Sequence, residues 1–162
     1  MNYLDLIFEE NKGGFVAIKV NSNDAKKIYN TFHQLGLTKL IQPNNMHVTI
    51  FFDQREIIFP EYEPIKKTYR AKVKGISVFP FQRTKKVIVL DLESKEIMDR
   101  FNELYEMGFR STYPSFKPHV SIKYNASDED VEQVLKHSAE IINSISDIKL
   151  HNEFSDKLRI PK

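Results

Sequence analysis

Apolar and polar positions follow the same pattern twice along this chain, with an offset of 72 residues. In each copy a short β-branched run precedes an amphipathic stretch and a second apolar run, which predicts a strand, a helix and a strand. The opening runs are FVAIKV at 15–20 and VIVLDL at 87–92. The closing runs are HVTIFF at 47–52 and HVSIKY at 119–124. Such an internal repeat predicts a fold of two similar halves.

The two predicted helices share an apolar stripe and matching ends. Apolar residues recur at three- and four-residue steps in DAKKIYNTFHQLG and in EIMDRFNELYEMG, as in a helix with one buried face. Ser22 and Ser94 precede these stripes and are predicted to cap the helices by accepting hydrogen bonds from backbone N–H groups. Gly36 and Gly108 follow them, where helices often end in the left-handed conformation that glycine adopts without strain.

A third strand is predicted after each copy. The segments YRAKVKGISVF at 69–79 and SDIKLHNEF at 146–154 contain alternating apolar and polar residues, as strands with one buried face do. The offset of 72 residues aligns Ile76 with Ile148 between them. The third strands are therefore predicted to occupy equivalent places in the two halves.

The segments that lead into these third strands differ between the copies. At about 127–144 an apolar stripe predicts a helix, which begins with a capping box of Ser127 and Asp130. The matching segment of the first copy contains Pro60 and Pro64. Because proline interrupts helices, this segment is predicted to be a loop.

Together these elements predict an α+β fold, in which residues 1–162 form a single domain of two duplicated lobes at about 14–80 and 86–154. We expect a bilobal, pseudo-two-fold-symmetric arrangement of two mostly antiparallel sheets that form a central cleft, with the helices outside. The two histidine strands are expected to lie side by side at the pseudo-two-fold axis.

Composition narrows the class of protein. The chain has no cysteine, which excludes disulfides, thiolate zinc sites and a cysteine nucleophile. Its formal net charge of +2 is too small to predict a stable duplex nucleic-acid partner. Acidic residues near the N-terminus argue against a signal peptide, and no apolar run reaches the ~18 residues of a membrane span, which predicts no membrane partner. We therefore expect a cytoplasmic protein, in which the basic clusters at 66–74 and 83–86 either protect a sheet edge or face phosphate.

Two histidine–hydroxyl motifs carry the candidate chemistry. Residues i and i+2 of a strand share a face, so His47 lies beside Thr49 and His119 beside Ser121. One such histidine would ordinarily be a half-buried packing residue, but its return at the same position of a repeat favours a shared site. Two imidazoles can act as acid and base near neutral pH, and two hydroxyls can bind phosphoryl oxygens. We predict these four residues to be catalytic, and the sequence leaves open which histidine is the base.

No metal or other cofactor is predicted. The two motif histidines could ligate zinc, but no third ligand stands at a recognisable spacing. Asp53, six residues after His47, is expected to be a loop residue. His33 and His137 fall off the apolar stripes and are expected to face solvent, and the spacing of His151 assigns it no role.

The paired motifs HVT and HVS, one in each copy, resemble those of the 2H phosphoesterase superfamily. That resemblance implies a metal-independent phosphodiesterase acting on cyclic phosphates or on RNA-like 2′-5′ or 3′-5′ linkages. The segments LDLIFEENKGGFVAIK, AKVKGISVFP and YPSFKPHVSIKY, and HVTIFF with the acidic, proline-bearing loop after it, are most similar to phage anti-CBASS nucleases. Those enzymes degrade the cyclic di- and trinucleotide signals of bacterial antiviral immunity. The resemblance implies a hydrolase that cleaves 3′-5′ bonds of a cyclic oligonucleotide in the host bacterial cytoplasm during phage infection.

Aromatic and cationic residues near the motifs are candidates for binding this substrate. Nucleobases stack on aromatic rings, and phosphates bind lysine or arginine. Phe15 opens the first strand and Lys19 lies further along it. Lys123 and Tyr124 follow the second motif, and alternation predicts that Lys123 shares the face of His119. We predict that these four flanking residues bind substrate.

The C-terminal segment 152–162 allows two interpretations. It is either a frayed terminus or a lid, in which Glu153 accepts a hydrogen bond from an adenine amino group and Phe154 stacks on the base. The lid is implied by the resemblance, since the C-terminal segment of anti-CBASS nucleases helps to close the pocket. Phe79 and Phe81 likewise suit either packing or stacking.

Two alternative functions stay open. One is a cellular RNA-processing enzyme of the same superfamily, which opens 2′,3′-cyclic phosphates or acts as a 2′-5′ RNA ligase. The other belongs to a different class, a sponge that binds a cyclic nucleotide without cleaving it. Two intact motifs argue against the sponge, and the short, nearly neutral chain argues against the RNA enzyme.

Overall fold

The computed structural model describes residues 13–55, 60–81, 85–112 and 115–157. Within these ranges the chain forms six strands, four α-helices and one short 3₁₀ turn. In chain order they are β1 (Gly14–Val20), α1 (Ser22–His33), the 3₁₀ turn (Pro43–Asn45), β2 (His47–Asp53), β3 (Tyr69–Phe81), β4 (Lys85–Glu93), α2 (Lys95–Glu106), β5 (His119–Ala126), α3 (Asp128–Lys136), α4 (Ser138–Ser144) and β6 (Asp147–Lys157). The α+β class predicted from the sequence is confirmed.

The strands form one antiparallel sheet that closes on itself in the order β1–β2–β5–β4–β3–β6. The prediction of two sheets is wrong, because neighbouring strands join the halves at two places. β2 and β5 meet where Val48 lies opposite Val120, and β3 and β6 pair through their first residues. The prediction that the two histidine strands lie side by side is confirmed.

The third strand of each copy joins the other half of the sheet. β3, which follows the first copy, pairs with β4 of the second copy along most of its length. β6, which follows the second copy, pairs with β1 of the first. The halves in space are therefore β6–β1–β2 and β3–β4–β5. The lobe boundaries at about 14–80 and 86–154 follow the sequence repeat and stay a prediction.

The sheet register also corrects the alignment of the third strands. Ile76 pairs with Leu90, and Glu153 pairs with Ile18. Because Leu90 and Ile18 are equivalent in the repeat, Ile76 corresponds to Glu153 and not to Ile148. The connection from β5 to β6 contains α3 and α4 and is longer than the connection from β2 to β3. Equivalent residues of the two third strands are therefore separated by more than the 72 residues of the repeat.

The ends of the first two helices agree with the sequence except at one cap. Ser94 caps α2 as predicted, but α1 is capped by Asn21, whose side-chain oxygen accepts from the N–H groups two and three residues on. Ser22 is instead the first residue of α1. Gly36 and Gly108 have φ values of 89° and 107°, which confirms the left-handed conformation expected after the helices.

The helix predicted at about 127–144 is divided into α3 and α4. The capping box of Ser127 and Asp130 is confirmed. His137 leaves the helical conformation with φ −106° and ψ 16°, which separates the two segments. The described residues 60–68 contain no regular structure, which agrees with the predicted loop.

β2 and β5 each contain a β-bulge at the same position of the repeat. Ile50 is the extra residue of β2 against β1, and Ile122 is the extra residue of β5 against β4. A bulge interrupts the alternation of faces, since two residues oppose one on the partner strand. The residues that follow, Phe51 and Lys123, are therefore also buried. These two bulges determine which side chains reach the histidine face.

Candidate active site

The motif residues lie on one face of the two central strands. Val48 and Val120 are fully buried, whereas their neighbours are partly exposed: His47, Thr49, His119 and Ser121. β2 and β5 are antiparallel and pair at Val48 and Val120. This register makes His47 the counterpart of Ser121 and Thr49 the counterpart of His119 along the two strands. The two motifs therefore flank one point of contact between the strands.

Both imidazoles are anchored in the same way. Nδ1 of His47 is 2.8 Å from the carbonyl oxygen of Asn45, and Nδ1 of His119 is 2.8 Å from that of Lys117. A carbonyl oxygen only accepts hydrogen bonds, so Nδ1 of each ring carries a proton. This contact fixes the ring orientation and leaves Nε2 of each histidine to exchange a proton with a ligand.

A cleft of about 540 Å³ opens beside the first motif. Its lining includes six of the ten predicted site residues: Phe15, Lys19, His47, Thr49, Tyr124 and Phe154. The ring of Phe154 lies 5.7 Å from that of Phe15 and 6.3 Å from that of His47, edge to face in both cases. Nζ of Lys19 lies 5.7 Å from the centre of the Phe154 ring. The first half-site therefore combines an imidazole, a hydroxyl, a cation and two aromatic rings.

The second half-site has its own aromatic contact. The ring of Phe79 lies 6.1 Å from that of His119, edge to face. Phe79 is 44% exposed, so it offers much of its surface to a ligand and is not a core residue. The structural environment of Phe81 lies outside the described side chains.

Lys123 does not reach the histidine face, contrary to the prediction from alternation. The bulge at Ile122 turns its side chain towards α3, where Nζ lies 2.8 Å from the carboxylate of Asp130. Burial alone would raise the pKa of Asp130, but the hydrogen bonds from Lys123 and Ser127 outweigh it and lower that pKa. Lys123 therefore fastens α3 to the sheet, and among the residues that the structure describes Lys19 is the lysine that lines the cleft.

Glu153 is also placed away from the cleft. It shares the core-facing side of the sheet with its partner Ile18, and its side chain is 0% exposed. Arg100 donates to both of its oxygens, from Nε at 2.7 Å and from Nη2 at 2.9 Å. The N–H of Ile65 and the hydroxyl of Tyr69 donate to it at 3.3 and 3.4 Å. With its acceptor sites engaged by the protein, Glu153 is not positioned to read a base.

This ionic cluster has clear electrostatic consequences. The hydrogen bond from Arg100 to Glu153 raises the pKa of Arg100 despite its burial. Burial, and then the charge of Glu153, raises the pKa of Tyr69 far above its usual value. The guanidinium and the phenol therefore keep their protons, and Glu153 ties α2 and the loop at Ile65 to β6.

Residues 152–157 are neither frayed nor a lid. They belong to β6, and residues 153–157 pair with β1, whereas the pairing of β6 with β3 involves residues 147–150. Phe154 faces the cleft from this strand, as its predicted role requires. The remainder of the predicted lid, 158–162, lies outside the described residues.

Several other sequence predictions are settled by position. Asp53 is the last residue of β2 and not a loop residue, and it is buried against Arg55, which donates to both carboxylate oxygens. His33 is exposed as expected, whereas His137 is half-buried at the break between α3 and α4. His151, which had no assigned role, lies opposite Lys19 in the sheet. Among the described residues, no group of three histidine, aspartate or glutamate side chains is placed to hold a metal ion.

Sequence reasoning missed Phe52, which lines the cleft. It is the equivalent of Tyr124 in the repeat. Both residues follow a bulge, and because of its extra residue their side chains lie on the histidine face, where simple alternation would place them on the core face. Applying the 72-residue offset to Tyr124 would have found it. Asn44, which also lines the cleft from the 3₁₀ turn, carries no such signal.

Removing the Lys123 ammonium is expected to make the free energy of unfolding depend less strongly on pH in the acidic range. The pKa of Asp130 is lowered in the folded protein, so its contribution is present above the unfolded value of about 3.9 and is lost as pH falls through the folded pKa. Urea unfolding of Lys123→Met and wild type between about pH 7 and pH 2 should show a smaller loss in the variant. Lys136→Met, at an exposed position of α3, is the control. Parallel curves for Lys123→Met and wild type would contradict the assignment.

The fold and site define an α+β protein with a closed antiparallel sheet and two equivalent histidine–hydroxyl motifs on its central strands. The chain belongs to the anti-CBASS protein Acb1 family, whose sequence model matches residues 12–159. It is similar to the anti-CBASS protein Acb1 of Vibrio phage KVP40, with 25% identity over 118 residues, covering 73% of this chain and 76% of the phage protein. The predicted similarity to phage anti-CBASS proteins is confirmed.

No helix among the described residues is both long and apolar enough to cross a membrane.

Proposed function

We propose that this protein is a metal-independent phosphodiesterase of the 2H type that cleaves 3′-5′ bonds of cyclic di- and trinucleotides. It would act in the bacterial cytoplasm during phage infection and thereby counter CBASS defence, as its family membership suggests. The observation that supports catalysis is the pair of equivalent imidazoles on adjacent strands, each anchored through Nδ1 to a carbonyl two residues earlier. A packing role does not require the same anchor twice.

In this proposal the two histidines divide the proton transfers between them. One neutral imidazole takes a proton from the attacking oxygen, which belongs to water or to a ribose 2′-hydroxyl. The other, protonated, gives a proton to the departing 5′-oxygen. The hydroxyls of Thr49 and Ser121 donate to the non-bridging oxygens, where charge grows in the transition state. Positioned acid–base catalysis contributes roughly 10²–10⁴-fold in rate.

The cleft provides the chemistry needed to hold a nucleotide. The edge-to-face pair of Phe15 and Phe154 forms an aromatic wall beside His47. Lys19 carries the positive charge that a phosphate requires, since Lys123 is paired with Asp130. Tyr124 is 45% exposed at the same cleft and offers a further ring.

The test is to incubate the protein with a panel of cyclic di- and trinucleotides and linear RNA, and then to resolve the products. Cleavage of the cyclic compounds, undiminished by excess chelator, is expected. Products from linear RNA alone would instead identify an RNA-processing enzyme. Tight binding of a cyclic nucleotide without products would identify a sponge.

Replacing Phe154 by leucine is expected to weaken substrate binding. Base–aromatic stacking is worth about 1–3 kcal/mol per base, so KM should rise by roughly 5- to 150-fold while kcat changes less. Steady-state kinetics on the preferred cyclic nucleotide measure both constants. Tyr105→Leu, at an exposed ring on α2, controls for the loss of an aromatic side chain. An unchanged KM in Phe154→Leu would exclude stacking at this position.

A further inference from the structure

The two half-sites differ in charge at one pair of equivalent positions. Lys19 on β1 and Asp91 on β4 are related by the 72-residue offset of the repeat. Lys19 is the sheet partner of His47, and Asp91 is the sheet partner of His119. Each histidine therefore has a charged neighbour across the strand pair, cationic in one case and anionic in the other.

The register places each charged side chain on the same face as its histidine. Opposed residues in an antiparallel pair point to one side, with Cβ atoms about 4.5–5.5 Å apart. The carboxylate of Asp91 accepts a hydrogen bond from the hydroxyl of Ser77 on β3, which holds it in place. Lys19 is held by contact with Phe154 on β6.

The other neighbours do not cancel this difference. On the first side, β6 adds His151, which lies opposite Lys19, and the carboxylate of β2, Asp53, is buried and paired with Arg55. On the second side, β3 contributes the neutral ring of Phe79 beside His119. Its lysines near Asp91, Lys72 and Lys74, are exposed and screened by solvent, and Lys72 lies opposite Glu93. The ammonium of Lys123, further along β5, is compensated by Asp130.

From this asymmetry we infer that His47 is the general base and His119 the general acid, with Lys19 and Asp91 as the residues that distinguish them. The inference rests on the proposed function and deepens it. A cation beside an imidazole favours the neutral ring, which can take a proton, and a carboxylate favours the protonated ring, which can give one. The sequence alone left the two histidines equivalent.

The proton balance of the step is complete without another reactant. Nε2 of His47 accepts the proton of the attacking hydroxyl as its oxygen forms a bond to phosphorus. The bond from phosphorus to the 5′-oxygen breaks, and that oxygen takes the proton from Nε2 of His119. His47 ends protonated and His119 neutral, so one proton exchange with solvent restores the starting state.

Substitution of sulfur for the bridging 5′-oxygen of the substrate separates the two roles. A thiolate leaves without protonation, since thiol pKa values are near 8.5. On the ordinary substrate both His47→Ala and His119→Ala should be slowed, roughly 10²–10⁴-fold. On the sulfur substrate His119→Ala should recover to within about tenfold of wild type, whereas His47→Ala should remain slow. Recovery of His47→Ala instead would reverse the assignment and leave the proposed phosphodiesterase standing. A wild-type protein that cleaves neither compound would refute the proposed function itself.

Asp91→Asn tests the positioning residue. This variant should cleave the ordinary substrate about tenfold more slowly and the sulfur substrate at nearly the wild-type rate, because only the first reaction needs the proton from His119. A purely structural defect would slow both substrates alike. Glu93→Gln, an exposed carboxylate on the same strand, is the matched control and should resemble wild type on both. Equal slowing of both substrates by Asp91→Asn would overturn the role given to Asp91.

Discussion

His47→Ala is expected to slow cleavage of a cyclic dinucleotide severely while the protein stays folded. The imidazole is partly exposed and is hydrogen-bonded through Nδ1 to the carbonyl of Asn45, so its removal should cost only about 0.5–1.5 kcal/mol of unfolding free energy. The loss of one proton-transfer group, by contrast, should lower kcat by roughly 10²–10⁴-fold. His119→Ala should behave in the same way, since its anchor to Lys117 is equivalent.

The comparison needs a histidine that lies outside the cleft. His33→Ala, at an exposed position of α1, should retain wild-type activity. Circular dichroism and urea unfolding of all three variants would show whether lost activity reflects lost fold. Full activity in either His47→Ala or His119→Ala would exclude paired-histidine catalysis.

Glu153→Ala is expected to be the most destabilising of the single substitutions considered. It would leave the guanidinium of Arg100, only 6% exposed, buried without its principal partner. Breaking a buried ion pair from one side costs about 3–5 kcal/mol. For a protein of this size, that corresponds to a fall in Tm of roughly 6–20 °C, measurable by calorimetry.

Arg100 supplies its own control, because it has a second carboxylate partner. Glu103 accepts from Nη1 at 2.9 Å but is 59% exposed, so Glu103→Ala should cost at most about 1 kcal/mol. The double variant Arg100→Met, Glu153→Met should recover much of the stability lost in Glu153→Ala, since neither charge remains buried. Equal destabilisation by Glu153→Ala and Glu103→Ala would show that burial does not determine how much each ion pair of Arg100 contributes to stability.

The sequence predicts the site well where alternation is uninterrupted. His47 and Thr49 precede the bulge of β2, and His119 and Ser121 precede that of β5, so simple alternation assigns their face correctly. Lys123 follows the bulge, and for that reason the same rule fails. The bulge depends on pairing with a strand more than thirty residues away. The local pattern of apolar and polar residues carries no information about that pairing.

Glu153 shows a second limit of sequence reasoning. Acidic residues are rarely buried unless they are paired, so a glutamate near a chain terminus is reasonably expected to face solvent or ligand. Its partner Arg100 lies 53 positions earlier, and nothing local marks the two as neighbours. The misassigned cap has a smaller cause: Asn21 and Ser22 are both good caps, and propensity does not choose between adjacent candidates.

The exchange of third strands governs the order in which the protein can assemble. β1, near the N-terminus, pairs with β6 at Asp147–Lys157, so the ring cannot close until almost the entire described chain has left the ribosome. Pairing between such distant segments is slow, because the entropy of loop closure is lost before the contacts form. Until β6 arrives, β1 presents an unpaired edge that invites aggregation. A single copy of the repeat would complete its half of the sheet only by taking the third strand of a second molecule.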